Sequence, residues 1–134
     1  MVTNEQIIKF CHENLVIDYL DVDVVERGGS VILELTVDER HVNLYNICHG
    51  GVLTTMADTA MGAACLALGK KVVTVSLTIE FMHAVPFAQK IFTRATVLHD
   101  GHQTMTCECE ILDANHKLFA KVHAIFFVIE TVDG

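Results

Sequence analysis

The sequence predicts an α+β fold in which one long antiparallel β-sheet wraps around a single central buried helix. Two observations predict it. Residues 50–69 form an apolar run whose only charged residue is Asp58, and four β-rich runs follow it. A helix that is apolar nearly all round needs protein on every side, and the later strands supply that cover. At 134 residues the chain fits one domain, predicted to span 1–134.

The first forty residues predict a helix and then a β-hairpin. Residues 3–13 suit a short helix, with Thr3 as its cap and Gln6 three residues later, as in a capping box. From residue 16 the pattern changes, and apolar residues alternate with aspartates over 20–24. A second alternating run begins after the glycine pair at 28–29. Two such runs around a Gly-Gly turn are typical of a hairpin.

The apolar run at 50–69 has a second interpretation, since a run this long with one charge is formally a membrane-span candidate. Its three threonines, its aspartate and the strand-like sequence on both sides favour a helix buried in protein. Strands are predicted over 72–83, 87–99, 104–113 and 117–130, with hairpin turns at 99–103 and 113–117. The predicted order is therefore α-β-β-α-β-β-β-β.

Composition excludes several classes of function. The formal net charge is −8 and only nine Lys and Arg are present, which argues against binding to nucleic acid or to an anionic membrane surface. The polar N-terminal decapeptide lacks the apolar core of a secretory signal, so a cytoplasmic location is expected. The five cysteines are odd in number and lack CxxC spacing, so most are expected to be reduced core residues rather than metal ligands.

The element order and the stretch NICHGGVLTTMAD at 46–58 resemble the hotdog fold, and specifically the PaaI-like acyl-CoA thioesterases, over residues 15–129. In that group the helix begins with His-Gly-Gly. An Asn stands six residues before the His, a catalytic Asp nine after it, and often a Ser or Thr eighteen beyond the Asp. The corresponding residues here are His49, Gly50, Gly51, Asn43, Asp58 and Ser76.

The resemblance implies hydrolysis of an aromatic or medium-chain acyl-CoA, with no cofactor apart from the coenzyme A of the substrate. A helix N-terminus offers unpaired N–H groups and a positive dipole end, and the family implies that the Gly50 amide, with Gly51, stabilises the oxyanion there. Asp58 would be the base or the nucleophile. Asn43 and His49 would support the site, and Ser76 would donate a hydrogen bond to Asp58 or contact the attacking water.

Each of these residues also has a purely structural interpretation. The glycines would serve equally well as a tight turn into the helix. Asp58 would be stable as a buried acid that accepts hydrogen bonds from Thr54, Thr55 or Ser76. These alternatives stay open from the sequence alone.

The spacing of Gly50 and Asp58 predicts a dimer. Eight residues of helix span about 12 Å, so one carbonyl group cannot meet both the Gly50 amide and the Asp58 carboxylate of the same helix. If both act, the Asp comes from another subunit, and two antiparallel helices about a two-fold axis give two equivalent sites. The family likewise implies a homodimer with sites at its interface; a dimer of dimers, a homotetramer, is left open.

The coenzyme A contacts depart from the family pattern. His83 and His102 stand where members often carry Arg or Lys, and Asn46 stands where a Gly is usual. We expect His83 and His102 to contact the coenzyme A phosphates when protonated, although solvated loop histidines explain them equally well. Met82 and Thr59 are expected to be further substrate contacts. Met56, Met61 and Phe81 would suit an acyl pocket or a plain core.

Two other functions compete with hydrolysis. A non-catalytic acyl-CoA-binding sensor is the first, since the hotdog fold also serves ligand sensing. A hotdog dehydratase is the second, although the spacing from His-Gly-Gly to Asp fits the thioesterases better. Release of free thiol from a panel of acyl-CoAs distinguishes hydrolysis from sensing.

Overall fold

The computed structural model, which describes residues 1–132, confirms the predicted fold class. A six-stranded antiparallel sheet wraps around one long helix in the hotdog arrangement. The helices are α1 (Asn4–His12), α2 (Leu15–Tyr19) and α3 (Gly50–Ala67). The strands are β1 (Asp23–Arg27), β2 (Ser30–Thr36), β3 (Lys70–Phe81), β4 (Lys90–Asp100), β5 (Thr104–Leu112) and β6 (Leu118–Thr131). Their order in the sheet is β1-β2-β4-β5-β6-β3.

The N-terminal segment confirms the predicted cap and hairpin but contains one helix that the sequence did not predict. Thr3 and Gln6 form a complete capping box at α1. Gly28 and Gly29 both have positive φ, 58° and 85°, as the tight turn between β1 and β2 requires. The unpredicted element is α2, whose β-branched sequence locally favours a strand. Its Ile17 is fully buried, so tertiary packing decides its conformation.

The core forms between α3 and the inner face of the sheet. Met56 and Met61 are fully buried there, so they are core residues and not part of an acyl pocket. All five cysteines are buried and free, which confirms the expectation of reduced core residues. Burial raises the pKa of the Cys11 and Cys48 thiols to about 11. These thiols are therefore protonated and unreactive near neutral pH.

One side of the core is uncovered within the single chain. Strand β3 lies at an edge of the sheet and pairs only with β6 in the described part of the chain. Beside it, the face of α3 that carries Asp58, Thr59 and Gly62 is only half-buried. The helix is thus not enclosed on all sides as its composition predicted, and the gap in its cover runs along β3.

No helix within residues 1–132 is long and apolar enough to cross a membrane. Over the same residues, no group of three or more His, Cys, Asp and Glu side chains has the arrangement of a metal site.

Candidate active site

The loop that leads into α3 is pinned by a buried histidine that the sequence did not single out. His41 is 1% exposed, and its Nδ1 accepts a 2.9 Å hydrogen bond from the Asp38 N–H. Its Nε2 therefore carries the proton and donates to the Leu20 carbonyl. The His41 carbonyl in turn accepts from the His49 N–H at 2.8 Å. This chain of bonds ties the start of α3 to α2.

Asn43 shapes the turn immediately before α3. Its side-chain oxygen accepts hydrogen bonds from the N–H groups of Tyr45 at 2.9 Å and Ile47 at 3.4 Å. Asn46 within that turn has φ of 63°, a left-handed conformation that Asn tolerates in place of the family's usual Gly. The predicted supporting role of Asn43 is thus matched by an ordering role in this loop.

His49 caps α3 with its imidazole ring. The Gly51 N–H donates a 3.0 Å hydrogen bond to His49 Nδ1, so the ring carries its proton on Nε2. The Gly50 N–H has no acceptor within residues 1–132. Of the two glycine amides predicted to face an oxyanion, Gly51 is already engaged and Gly50 is free.

Gly50 also packs closely against a neighbouring ring. A Cβ at this position would lie 3.0 Å from Cζ of Phe81, tighter than ordinary contact. The Phe81 ring covers the start of the helix and lines a cleft of about 380 Å³, termed here the Gly50 cleft. Its lining residues are Asn43, Ile47, Cys48, Gly50, Leu53, Phe81, Met82, His83, Ala84 and Val85. Four predicted site residues, Asn43, Gly50, Met82 and His83, therefore meet in one place.

The Asp58 carboxylate is held by Thr74, not by Ser76. Thr74 Oγ1 donates a 2.6 Å hydrogen bond to Asp58 Oδ1. Ser76 lies opposite Ile125 on the outer face of the sheet, because a β-bulge at Val75 interrupts the register between the two hydroxyl residues. The predicted contact of Ser76 with Asp58 is therefore wrong.

The threonines on α3 do not hold Asp58 either. The Thr54 and Thr55 hydroxyls donate to the carbonyl oxygens of Gly50 and Gly51, one helical turn back. Neither supplies the structural hydrogen bond that the alternative interpretation of Asp58 required.

Asp58 opens into a second cleft, termed here the Asp58 cleft, of about 220 Å³. It lies between α3, α1 and the first half of β3. Thr59, a predicted substrate contact, lies at its wall beside Asp58. The complete lining is Phe10, Cys11, Asn14, Asp58, Thr59, Gly62, Ala63, Leu66, Lys70, Lys71, Val72, Thr74, Phe126 and Ile129.

The two clefts lie toward opposite ends of edge strand β3. The Gly50 cleft contains Phe81, the last residue of β3, and the Asp58 cleft contains Lys70, the first. His83 and His102 are separated in the same way. His83 follows the end of β3, whereas His102 lies in the β4–β5 turn near Asp100, which binds Lys70 at 2.7 Å. One chain therefore does not bring the two histidines together.

A family model described as the thioesterase superfamily matches residues 45–120. That range contains both clefts' residues from α3 and β3. Among characterised proteins, the acyl-coenzyme A thioesterase PaaI of Escherichia coli is 32% identical over 110 residues, which is 82% of this chain and 76% of that protein.

Solved thioesterase structures are also similar to this chain. The structure of E. coli PaaI, from the phenylacetic acid degradation operon, superimposes with a TM-score of 0.86 at 26% identity, covering 96% of this chain and 95% of that one. A thioesterase from Haemophilus influenzae superimposes with a TM-score of 0.84 at 25% identity, covering 97% and 92%.

Proposed function

The chain belongs to the thioesterase superfamily, and from that premise we propose that it is an acyl-CoA thioesterase of the PaaI-like group, which hydrolyses the thioester of an aromatic or medium-chain acyl-CoA. One observation carries the assignment to particular residues. A hydroxyl-anchored carboxylate, Asp58, and a free N–H at a helix start, Gly50, each open into a cleft beside the same edge strand. These are the two groups that thioester hydrolysis needs.

The Gly50 N–H stabilises the oxyanion that forms on the thioester carbonyl. It has the positive end of the α3 dipole behind it and no competing acceptor within residues 1–132. Gly51 contributes indirectly, because its N–H fixes the His49 ring and leaves Nε2–H directed away from the helix cap. With its proton on Nε2, His49 is a donor to water or substrate and not a proton acceptor at that nitrogen.

Asp58 supplies the nucleophilic half of the reaction. Thr74 occupies Oδ1 and leaves Oδ2 for a water molecule or for the carbonyl carbon. The new C–O bond forms first and gives a tetrahedral intermediate whose oxyanion the Gly50 N–H stabilises. When this intermediate collapses the C–S bond breaks, and the thiolate of coenzyme A leaves and takes up a proton from protonated Asp58 or from solvent. Two routes suit this geometry: Asp58 removes a proton from water, or it forms an anhydride that water then opens. In a single turnover in ¹⁸O-labelled water, label in Asp58 identifies the anhydride route with opening at the Asp58 carboxyl carbon, whereas direct attack of water places the label in the product acid only.

The complete site takes one cleft from each of two chains. Within one chain the helix separates Gly50 and Asp58 by about 12 Å. Antiparallel pairing of β3 with a second β3 brings the start of one strand to the end of the other, which joins the Asp58 cleft of one chain to the Gly50 cleft of its partner. The uncovered edge of β3 and the half-buried face of α3 support this arrangement.

The remaining predicted residues fall on two sides of the reacting carbonyl. Met82 and His83 line the Gly50 cleft and lie on the coenzyme A side of the thioester. Thr59 lines the Asp58 cleft on the acyl side. In the joined site, His102 of one chain and His83 of its partner lie toward the same end of the paired strands, so a contact of both with coenzyme A would take one histidine from each subunit.

The test is thiol release from a panel of acetyl-, hexanoyl-, decanoyl- and phenylacetyl-CoA, with wild type and Asp58→Asn. The isosteric amide keeps the Thr74 hydrogen bond but removes the charge. We expect kcat to fall at least a thousandfold, with an unchanged melting curve and oligomer mass. Full activity in Asp58→Asn would contradict the proposed chemistry. Binding of acyl-CoA without thiol release from wild type would favour a sensor instead.

A further inference from the structure

We infer that Gly62 sets the depth of the acyl pocket and that Phe10 of α1 closes its far end, so that the Asp58 cleft selects an uncharged aryl or medium-length acyl group by size. This inference rests on the proposed function, since it takes Asp58 as the group beside the reacting carbonyl.

The Asp58 cleft runs along α3 away from the carboxylate. Asp58, Gly62 and Leu66 all line it and follow each other at intervals of four residues, or about 6 Å per step. Gly62 therefore lies halfway between the carboxylate and the end of the cleft. The volume of about 220 Å³ exceeds the roughly 150 Å³ of an apolar cavity that holds benzene. A ring or a chain of comparable bulk fits beyond Asp58.

Gly62 keeps the middle of this cleft open. A Cβ built at Gly62 meets no atom within 4 Å, so nothing in the described chain requires a glycine there for packing. Within a helix, Gly is destabilising relative to Ala. A larger side chain at this position would project into open space directly beside the path from Asp58, and would shorten the pocket to about half its length.

The far end of the cleft carries no unpaired charge among the described residues. The Phe10 ring of α1 closes it, with Lys71 Nζ 5.3 Å from the ring centroid and 3.3 Å from Glu130. The other lysine at the wall, Lys70, is 14% exposed and donates to Asp100 and to the Gly101 carbonyl. Both ammonium groups are already compensated, so the cleft offers no unpaired cation to an acyl group that ends in a carboxylate.

Two substitutions are expected to move acyl preference in opposite directions. Gly62→Val should lower kcat/KM for decanoyl- and phenylacetyl-CoA at least tenfold, while acetyl-CoA changes less than threefold. Phe10→Ala, which opens the far end, should raise the decanoyl to hexanoyl ratio at least threefold. The matched control is Ala67→Val, which adds methyl groups on an exposed turn of the same helix outside the cleft. Its acyl profile should equal that of wild type.

The outcomes separate this inference from the proposed function. One outcome is that wild type turns over acyl-CoAs through Asp58 while Gly62→Val lowers kcat/KM for every acyl-CoA by the same factor. In that case Gly62 does not set the depth of the acyl pocket, and the thioesterase assignment stands. If wild type turns over none, the proposed function itself fails. Gly62 has one competing role, close approach of a partner helix. A Gly62→Val protein that sediments as a monomer would overturn the role of Gly62 in acyl selection, whereas an intact dimer with the altered acyl profile supports that role.

Discussion

The Thr74 hydroxyl holds one oxygen of Asp58 at 2.6 Å and so orients the carboxylate toward its cleft. Thr74→Val removes this hydrogen bond with little change in shape. We expect kcat to fall ten- to a hundredfold, because a misplaced catalytic group loses rate steeply, while KM changes little. Steady-state kinetics on one good acyl-CoA measures the split.

Two matched variants control for a structural effect. Thr74→Ser keeps the hydroxyl and should retain most of the activity. Ser76→Ala lies on the outer face of the same strand and should stay within twofold of wild type. Equal losses in Thr74→Val and Ser76→Ala would show that the hydroxyls matter only through the strand.

The faces on which Thr74 and Ser76 lie could not be predicted from the sequence. Thr74 and Ser76 are two residues apart, and strict alternation places both on one face of a strand. The bulge at Val75 places them on opposite faces, and no residue in that stretch predicts a bulge. The buried position of His41 was likewise not predictable, because it depends on a loop conformation that lacks periodicity. Asp58 stands out in the sequence because a single charge in an apolar helix is visible without any knowledge of the fold, and its catalytic role stays a prediction.

Strands β4 and β5 are joined by an ion pair that makes stability depend on pH. The Arg94 guanidinium donates to Glu110, with Nε 3.0 Å from Oε1, and this bond is the main cause that holds the pKa of Glu110 below its ordinary value of 4.5. A lowered carboxyl pKa stabilises the fold fully above 4.5, and the contribution is lost as pH falls through the lowered value.

Glu110→Gln should therefore lower the free energy of unfolding at pH 7 by roughly 0.5–1 kcal/mol, a small effect because the half-exposed Arg94 is screened by water. The difference from wild type should shrink as pH falls below 4.5. Urea unfolding at several pH values measures it, with the exposed Glu39→Gln as a control of constant stability. A difference that is the same at every pH would rule out the charge as its source.

Most elements were predictable because local signals and tertiary packing agree. The capping box at Thr3 and the glycine pair at 28–29 fix a helix start and a hairpin whatever surrounds them. The exception is α2, five residues long, which is too short to show helical periodicity. Its helical state depends on the burial of Ile17 against the core.

At the scale of the whole molecule, the uncovered edge of β3 accounts for the proposed dimer. Val75 lies at the middle of β3 and is 64% exposed. In an antiparallel pair about a two-fold axis, the middle of each strand meets the middle of the other. Val75→Lys would place two like charges side by side, so we expect a folded monomer with little activity. Light scattering should give a mass near 14.8 kDa.

Leu98→Lys is the matched control for this change. Leu98 is a similarly exposed apolar residue, at 51%, but it lies on β4, in the interior of the strand order. Its dimer and its activity should persist. A Val75→Lys protein that remains an active dimer would mean that the subunits meet elsewhere.

The predicted dimer follows from spacing, whereas its geometry does not. The eight residues from Gly50 to Asp58 are readable in the sequence and prevent one chain from placing both groups at a single carbonyl. That the Gly50 and Asp58 clefts lie toward opposite ends of an edge strand became visible only in the fold, because the strand order β5-β6-β3 leaves β3 at the edge. The open space beside Gly62, on which the proposed acyl selectivity rests, is likewise visible only in the fold.

Two variants each disable one half of the proposed site. Asp58→Asn removes the carboxylate. Gly50→Pro removes the N–H at the first helical position, where Pro is tolerated, and His49 before it already has the extended conformation that a following Pro favours. Gly50→Ala is its matched control, since it adds a Cβ against Phe81 but keeps the N–H.

The most direct test of the two-chain site is the activity of a heterodimer that contains one Asp58→Asn chain and one Gly50→Pro chain, purified through two different affinity tags. Each parental homodimer should be nearly inactive. The heterodimer contains one site with both groups intact and one with both removed, so its kcat per dimer should be about half that of wild type. A heterodimer no more active than its parents would contradict the account, because it would place Gly50 and Asp58 of the same chain at one carbonyl.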